Sequence, residues 1–355
     1  MRFGASAPPI YGDAAFRSQS RHSLLLVHNY REMNDLSKDA ANRLAVDETA
    51  AGQRIDNFLF RLLKGVPKSH VYRILRSGEV RLNRKRVQPD ARLAVGDELR
   101  IPPIRTAAGP VGRKASPNAA VPPILYEDEA LIAIDKPAGL AVHGGSGVAF
   151  GLIERLRAAR PKAKLLELVH RLDRDTSGVL LIAKKRAALI ALHTALREGR
   201  IDKRYTVLVR GKWRDAKRAV DLPLTKFVTG EGERRVRVER EHGRSARTLF
   251  HRLEVWPDAD PPLSLLEAQL HTGRTHQIRV HLTHLGFPLA GDDKYGDFNW
   301  NRLLAKQGLK RMFLHARRLE FEHPLDAGQI AIEAQLPAEL AKFLAQLDSA
   351  KEPGG

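Results

Sequence analysis

The residues best suited to chemistry are in the segment HRLDRDTSG, residues 170–178, which precedes the apolar run VLLIA. Its four charged side chains other than histidine are Arg171, Asp173, Arg174 and Asp175. The pattern predicts a loop that feeds a strand, where the backbone can be held rigidly. Positive neighbours favour an ionised carboxylate, so we expect Asp173 to be a base or nucleophile and Asp175 to cap the turn through backbone N–H groups. The alternative to these roles is that the four charged residues form a row of ion pairs on the surface. The pattern does not assign a role to Arg174.

A second segment, HTGRTHQIRVHLTHLG at residues 271–286, holds four histidines and two arginines. A metal site is disfavoured because only the last two histidines share a helix face and no carboxylate lies within the segment. We expect a helix whose first turn carries Arg274. Arg279 follows among apolar neighbours, and a buried arginine needs a carboxylate partner, for which Asp173 is the candidate.

The segment KRYTVLVRG places Tyr205 at the start of a strand among basic residues. Tyr205 is therefore either an ordinary sheet aromatic or a surface on which a base stacks. Two further segments, KPAGLAVHGG and GDDKYG, offer turn chemistry near a cleft. Neither has the pattern of a phosphate-binding P-loop, and we expect no cofactor.

The charge balance points to a polyanionic partner. The chain has 355 residues, with 60 Lys and Arg against 41 Asp and Glu, and 43% of it is hydrophobic. Such a chain can fold into sizeable cores, and its excess of positive charge makes nucleic acid the leading partner over a merely solubilising surface. It has no cysteine, which suits a reducing cytoplasm. It also lacks the apolar run of roughly 18 residues that a membrane helix requires.

Composition divides the chain into five parts. We expect a disordered extension over residues 1–46, with Met33 as an alternative start, and a small basic module over 47–101. A Pro/Ala/Gly-rich linker over 102–123, a large domain over 124–347 and a flexible tail over 348–355 follow.

The basic module reads as two amphipathic helices and a hairpin with a turn at residues 83–85. Its candidate phosphate contacts are Lys68, Arg73, Arg76, Arg84, Lys85 and Arg86. The run GQRIDNFL…KGVPKSHVYRILRSGEVRLN resembles the S4 domain, a small RNA-binding module. The alternative is a basic cap that only stabilises the larger domain.

In the large domain, about eight strand-like segments are interrupted irregularly by three helical ones. Because strands and helices do not alternate, a doubly wound parallel sheet is disfavoured. The fold class predicted for the chain is α+β, with a small α/β module followed by a mixed, largely antiparallel sheet flanked by helices.

The ordered segments KPAGLAVH, HRLDRDTSGVLLIAKK, KRYTVLVRG, TGRTHQIRVH and GDDKYG together resemble the pseudouridine synthases with an HRLDxxTSG motif, which modify ribosomal and transfer RNA. The resemblance implies that Asp173 is the catalytic aspartate and that Arg171 enters the RNA stack where the target base has left. It also implies that Tyr205 stacks on the flipped uracil and that Arg279 pairs with the catalytic carboxylate.

The implied reaction breaks the N1–C1′ bond of uridine, rotates the uracil and rejoins it through C5, which requires neither a metal nor another cofactor. Asp173 attacks C1′, attacks the ring or removes the 2′ proton, and the sequence leaves these three routes open. With the S4-like module, the resemblance implies a cytoplasmic monomer that acts on 23S ribosomal RNA, free or in the assembling large subunit. The alternatives are a non-catalytic RNA-binding or ribosome-assembly protein and a metal-dependent RNA hydrolase.

Overall fold

The computed structural model describes residues 39–63, 65–104, 120–144 and 150–350, together with the short strand Leu25–Leu26. The described chain divides into two units, an N-terminal one up to residue 104 and a C-terminal one from residue 120. Each unit has its own hydrophobic core.

The N-terminal unit packs two helices on a small sheet. Its elements are β1 (Leu25–Leu26), β2 (Asn42–Ala45), α1 (Ile55–Leu62), α2 (Lys68–Arg76), β3 (Arg81–Leu82), β4 (Lys85–Arg86) and β5 (Glu98–Ile101). The sheet has the order β1-β2-β5-β3-β4. Apolar side chains three and four residues apart on α1 and α2 are buried, which is the amphipathic pattern predicted for both helices.

The boundary predicted at residue 47 is too late. Strand β2 pairs antiparallel with β5 and belongs to the sheet, although it falls in the predicted extension. Its alternate side chains Asn42 and Leu44 are buried, and this burial stabilises the four-residue strand in the sheet. Apart from Leu25–Leu26, the preceding part of the predicted extension, up to residue 38, lies outside the described residues.

The C-terminal unit has twelve strands and five helices among its described residues. The strands are β6 (Ile124–Glu127), β7 (Leu131–Lys136), β8 (Glu167–Leu168), β9 (Ser177–Ala183), β10 (Asp202–Arg210), β11 (Lys217–Asp221), β12 (Leu224–Val228), β13 (Arg234–Val238), β14 (Arg247–Trp256), β15 (Leu263–Leu270), β16 (Leu314–Glu322) and β17 (Gln329–Glu333). The helices are α3 (Leu152–Ala159), α4 (Arg186–Arg197), α5 (Gln277–His284), α6 (Phe298–Lys306) and α7 (Ala338–Ser349).

Ten of these strands form one sheet, with the order β11-β14-β15-β10-β16-β9-β7-β6, and β17 and β8 pair beside it with β16 and β9. All of its pairs are antiparallel except β16 with β9. Strands β12 and β13 form a separate hairpin. The fold is therefore α+β with a mixed, largely antiparallel sheet, as the sequence predicted.

The sheet is covered on both faces, which is why strand β9 is buried along its whole length. Leu180 and Ile182 pack in one core with α3 and α5, whereas Val179 and Leu181 pack in a second core with α4. Successive residues of a strand point to opposite faces, so one strand serves both cores.

Three sequence expectations need correction. The structure adds α3 and α6, which the apolar pattern did not reveal, and it starts α5 at Gln277 rather than before Arg274. Helix α7 extends to Ser349, beyond the domain end predicted at residue 347. Residues 105–119 of the predicted linker and 351–355 of the tail lie outside the described residues. Within the described residues, none of the helices is long and apolar enough to cross a membrane.

Candidate active site

Asp173 lies in the loop between β8 and β9, and both ends of this loop are tied to the sheet. At its start, the Leu181 backbone N–H donates to His170 Nε2 at 3.1 Å. At its end, Gly178 of β9 lies directly against Ala316 of the parallel strand β16. The segment HRLDRDTSG is therefore a rigidly anchored loop that feeds a strand.

Lys136 holds the middle of the loop. Its side chain is fully buried, and Nζ donates to the carbonyl oxygens of Pro137, Leu140 and Arg174 at 2.9, 2.8 and 2.9 Å. Burial lowers the pKa of Lys136 to about 7, against the attraction of Asp175. The three carbonyl acceptors match the three hydrogens of an ammonium group, so the charged form is the one that satisfies this geometry. Lys136 thus joins the KPAG turn to the loop of Asp173.

Arg279 of α5 contacts Asp173 directly, which is the pairing that the sequence predicted. Its Nη1 donates to Asp173 Oδ2 at 3.1 Å. Its Nε and Nη2 donate to the two carboxylate oxygens of Asp292, both at 2.7 Å. The guanidinium is thereby clamped on one side and presented to Asp173 on the other.

The charges in this cluster stabilise one another despite burial. Burial opposes ionisation of Arg279, but the hydrogen bonds and charge of Asp292 and Asp173 raise its pKa above the ordinary value. Burial likewise opposes the carboxylate of Asp292, but Arg279 and the backbone N–H groups of Lys294 and Tyr295 lower its pKa. A fully buried carboxylate is thus paired and hydrogen-bonded, as burial requires.

The other oxygen of Asp173 faces His276. The Tyr295 hydroxyl accepts from the Val236 N–H at 2.9 Å and lies 2.8 Å from His276 Nδ1, and we assign the hydroxyl as the donor to Nδ1. The neutral imidazole then carries its hydrogen on Nε2, which lies 3.7 Å from Asp173 Oδ1. Burial lowers the pKa of His276, so the neutral form is present at neutral pH. This assigns the tautomer from the hydrogen-bond network.

Asp173, Arg279 and His276 line a cavity of about 590 Å³ together with Tyr205 and Arg171. Tyr205 is 7% exposed and is part of the core, so it is both a sheet aromatic and a wall of the cavity. Burial raises the pKa of Tyr205, and the charge of Asp173 adds to this shift. Arg171 is exposed. The volume falls in the range of pockets that hold small ligands.

Two details of the sequence interpretation are wrong. Asp175 does not cap the turn: in the structure it accepts from the Arg174 side chain at 3.2 and 3.3 Å. This is one pair of the row of surface ion pairs considered as the alternative, whereas Asp173 of the same segment is paired with Arg279. Arg274 precedes α5, because His276 has a φ of 54° and the helix starts after it.

The histidines of residues 271–286 do not form a metal site among the described residues. His281 is fully buried, with Nδ1 3.0 Å from Thr248 Oγ1 and Nε2 3.0 Å from the Leu222 carbonyl oxygen. His276 belongs to the network of Asp173. The histidines that suggested a metal site therefore have separate roles: His281 packs in the interior, and His276 lines the cavity.

In the N-terminal unit, the six predicted RNA contacts are all exposed: Lys68, Arg73, Arg76, Arg84, Lys85 and Arg86. Arg73 is paired with Glu79, and Arg86 donates to the Ser77 carbonyl oxygen. Asn83 and Arg84 have φ values of 49° and 66°, the geometry of a tight two-residue hairpin turn. This turn presents Arg84 and Lys85 at the tip of the β3–β4 hairpin.

Sequence reasoning missed Asp292, Tyr295, His276 and Lys136 as members of the site. A signal existed for Asp292, since a buried Arg279 needs a carboxylate and GDDKYG supplies two soon after it. For the others, the contacts depend on tertiary packing between distant segments, which the spacing of residues does not reveal.

Comparison with known proteins identifies the family. The sequence signature described as RNA pseudouridylate synthase matches residues 130–284, and that of the S4 domain matches residues 53–99. The ribosomal large subunit pseudouridine synthase C of Escherichia coli is 50% identical over 316 residues, which cover 87% of this chain and 97% of that protein. Its counterpart in Pasteurella multocida is 47% identical over 327 residues, covering 91% and 99%. The chain belongs to the RNA pseudouridine synthase family.

A solved structure supports the same assignment. Human RNA pseudouridylate synthase domain containing 4 has a TM-score of 0.51 and 28% identity, and the match covers 63% of this chain and 92% of that one. As a member of the pseudouridine synthase family, the chain is an isomerase, and with its S4 domain it acts on RNA. Asp173 of the HRLD segment lies inside the matched residues, as do Tyr205 and Arg279.

Proposed function

We propose that the enzyme converts specific uridines of 23S ribosomal RNA into pseudouridine, with Asp173 as the reacting carboxylate. It does so as a cytoplasmic monomer without a cofactor. The relatives that span nearly the same length are named for the large ribosomal subunit, which supports this choice of RNA. The substrate is free 23S RNA or the RNA of an assembling subunit.

The observation that carries the proposal is the position of Asp173 in the cavity. One of its oxygens receives a hydrogen bond from Arg279, and its other oxygen faces the Nε2 of His276. Such a carboxylate is oriented before substrate arrives, so no rearrangement of charges is needed during the reaction. A target uridine must leave the RNA stack to reach it, which costs a few kcal/mol.

The cavity wall supplies residue types that offset this cost. Tyr205 offers an aromatic face on which the flipped uracil stacks, and stacking contributes about 1–3 kcal/mol per base. Arg171, exposed at the same cavity, fills the place that the base leaves in the stack. Asp173 then attacks C1′, attacks the ring or removes the 2′ proton.

The N-terminal unit adds affinity through phosphate contacts. The exposed basic residues of α2 and of the β3–β4 hairpin neutralise backbone charge without reading the sequence. Target choice then depends on the shape of the RNA around the uridine that enters the cavity.

The test compares Asp173→Asn with Asp175→Asn in cells that lack the native gene. Asp175 is on the same loop but is paired with Arg174, so it is a matched control. We expect pseudouridine-specific primer extension on 23S RNA to detect modification with the wild-type and Asp175→Asn proteins and none with Asp173→Asn. RNA binding should be unchanged in all three. Modification by Asp173→Asn, or a 23S pattern that does not depend on the gene, would contradict the proposal and favour a non-catalytic RNA-binding protein.

A further inference from the structure

Lys203 is buried next to Tyr205 in the wall of the cavity. It lies on β10, two residues before Tyr205, and the pairing of β10 with β16 shifts in register between Arg204 and Tyr205. Its side chain is 5% exposed, and both residues line the cavity that holds Asp173. Lys203 is therefore part of the inner wall, whereas Arg171 and Arg197 are exposed.

The hydrogen bonding of Lys203 is incomplete. Its Nζ makes one long hydrogen bond of 3.4 Å, to the Ile201 carbonyl oxygen, although an ammonium group has three hydrogens to donate. Lys136 and Lys203 are the two buried lysines among the described residues, and Lys136 satisfies all three hydrogens at 2.8–2.9 Å. A buried ammonium that is not needed for structural bonds is costly unless another acceptor completes it.

The charges that line the cavity indicate what that acceptor is. Among the described residues that line the cavity, Asp173 is the one carboxylate. Five arginines and Lys203 share the wall with it: Arg171, Arg197, Arg244, Arg274 and Arg279. Arg279 already holds Asp173, so the wall retains positive charge for a ligand that is negative or becomes negative.

The reaction generates such a charge on the uracil. When the N1–C1′ bond breaks, its electron pair remains with the ring and spreads to the carbonyl oxygens O2 and O4. If Asp173 adds to the ring instead, the electron pair of the attacked double bond moves toward O4. The charge returns to the ring bonds when C1′ joins C5 and the C5 proton leaves. An ammonium group beside the ring therefore interacts more favourably with the uracil in the transition state than in the ground state.

We propose that Lys203 is a further catalytic residue, whose buried ammonium group donates to a carbonyl oxygen of the flipped uracil and stabilises the negative charge that develops there. A base stacked on Tyr205 occupies the cavity that Lys203 also lines, which brings the ring within the reach of a lysine side chain. The exposed arginines of the cavity contact the phosphates of the RNA backbone instead. The inference rests on the uridine isomerisation described above and adds to it the group that stabilises the ring.

The test is the single-turnover rate of the full-length protein on 23S RNA from cells that lack the gene. Lys203→Met removes the charge but keeps a long apolar side chain, so folding does not suffer from a new unpaired group. We expect the rate at saturating enzyme to fall by about 10²- to 10³-fold, the loss typical of removing one group that stabilises transition-state charge. RNA affinity should stay at the wild-type value, and the melting temperature should be equal to or above that of the wild-type protein because a costly buried charge is removed.

Two further variants sharpen the result. Lys203→Arg keeps the charge and should recover part of the rate. Lys342→Met makes the same change at an exposed position of α7 and should leave the rate unchanged. A wild-type rate in Lys203→Met, or a loss confined to RNA affinity or to melting temperature, would overturn the proposal. Failure of the wild-type protein to modify the RNA would instead contradict the proposed substrate, so the two failures are distinguishable.

Discussion

Arg279 is fixed by Asp292 through two hydrogen bonds of 2.7 Å, one from Nε and one from Nη2. The Asp292 side chain is fully buried, and its Oδ1 also accepts the backbone N–H groups of Lys294 and Tyr295. This geometry leaves Nη1 to reach Asp173. The orientation of the reacting carboxylate therefore depends on a second carboxylate that does not line the cavity.

Replacing Asp292 with Asn should impair both folding and catalysis. The substitution leaves the buried guanidinium without its ionic partner, and breaking a buried pair costs about 3–5 kcal/mol. Urea denaturation should show this loss, and the single-turnover rate should fall because Arg279 no longer presents Nη1 to Asp173. Asp293→Asn is the control, since Asp293 is 3.9 Å from Arg279 and its side chain is 75% exposed. Equal stability of the two variants would contradict the structural role of Asp292.

The network of Tyr295 and His276 predicts a pH dependence. Burial lowers the pKa of His276 below its usual 6.5, so acid must protonate it in the folded enzyme. Protonation turns Nδ1 into a donor, which reverses its hydrogen bond with the Tyr295 hydroxyl, and it places a positive charge beside Asp173. We expect the single-turnover rate to hold at pH 6.5 and to fall only as the pH drops through the lowered pKa of His276 in the folded enzyme.

The same shift affects stability in a defined direction. Below pH 6.5, the unfolded chain binds a proton at His276 more readily than the folded one does, so the free energy of unfolding decreases as the pH falls. His276→Asn tolerates the positive φ of this position and does not titrate. In that variant, the decrease in the free energy of unfolding that begins just below pH 6.5 should be absent. If the free energy of unfolding depends on pH as in the wild-type protein, the assignment of this decrease to His276 is refuted.

Much of the fold was predictable because it follows from local patterns. The apolar spacing of α1 and α2 and the continuous apolar run of β9 each reflect burial that repeats along the chain. The pairing of Arg279 with Asp173 was also predictable, since a charge among apolar residues requires a partner. Each of these inferences depends on a periodicity or an energetic requirement that can be recognised within a single segment of the sequence.

Other parts of the site were not predictable from such patterns. The start of α5 depends on the left-handed backbone of His276, which no preference for helix or strand indicates. Asp175 pairs with the adjacent Arg174 instead of capping the turn, and the backbone of the loop is held by Lys136 from another strand. Such contacts are set by how distant segments pack, and the sequence alone does not encode them visibly.

The β3–β4 hairpin predicts a change in the salt dependence of RNA binding. Arg84 and Lys85 are exposed at its tip, where each can neutralise a phosphate. Arg84→Ala with Lys85→Ala should weaken RNA binding and reduce the slope of log affinity against log salt by about 0.7 per lost contact. Arg43→Ala, in the same unit but paired with Glu98, is the control. A double variant with the wild-type slope would indicate that the hairpin tip is not in contact with RNA.

Replacing Gly178 of the HRLDRDTSG segment should lower the stability of the protein for a purely structural reason. Its φ is 110°, and a Cβ at this position would lie 2.2 Å from the Ala316 carbonyl oxygen of the adjacent parallel strand. Gly178→Ala should therefore lower the free energy of unfolding by more than the roughly 1–3 kcal/mol of backbone strain alone. Gly139→Ala separates the two effects, because Gly139 also has a positive φ of 79° but no atom within 4 Å of the added Cβ. Chemical denaturation of both variants measures the difference. If Gly178→Ala is no less stable than Gly139→Ala, the close approach of β9 and β16 is not what requires glycine there.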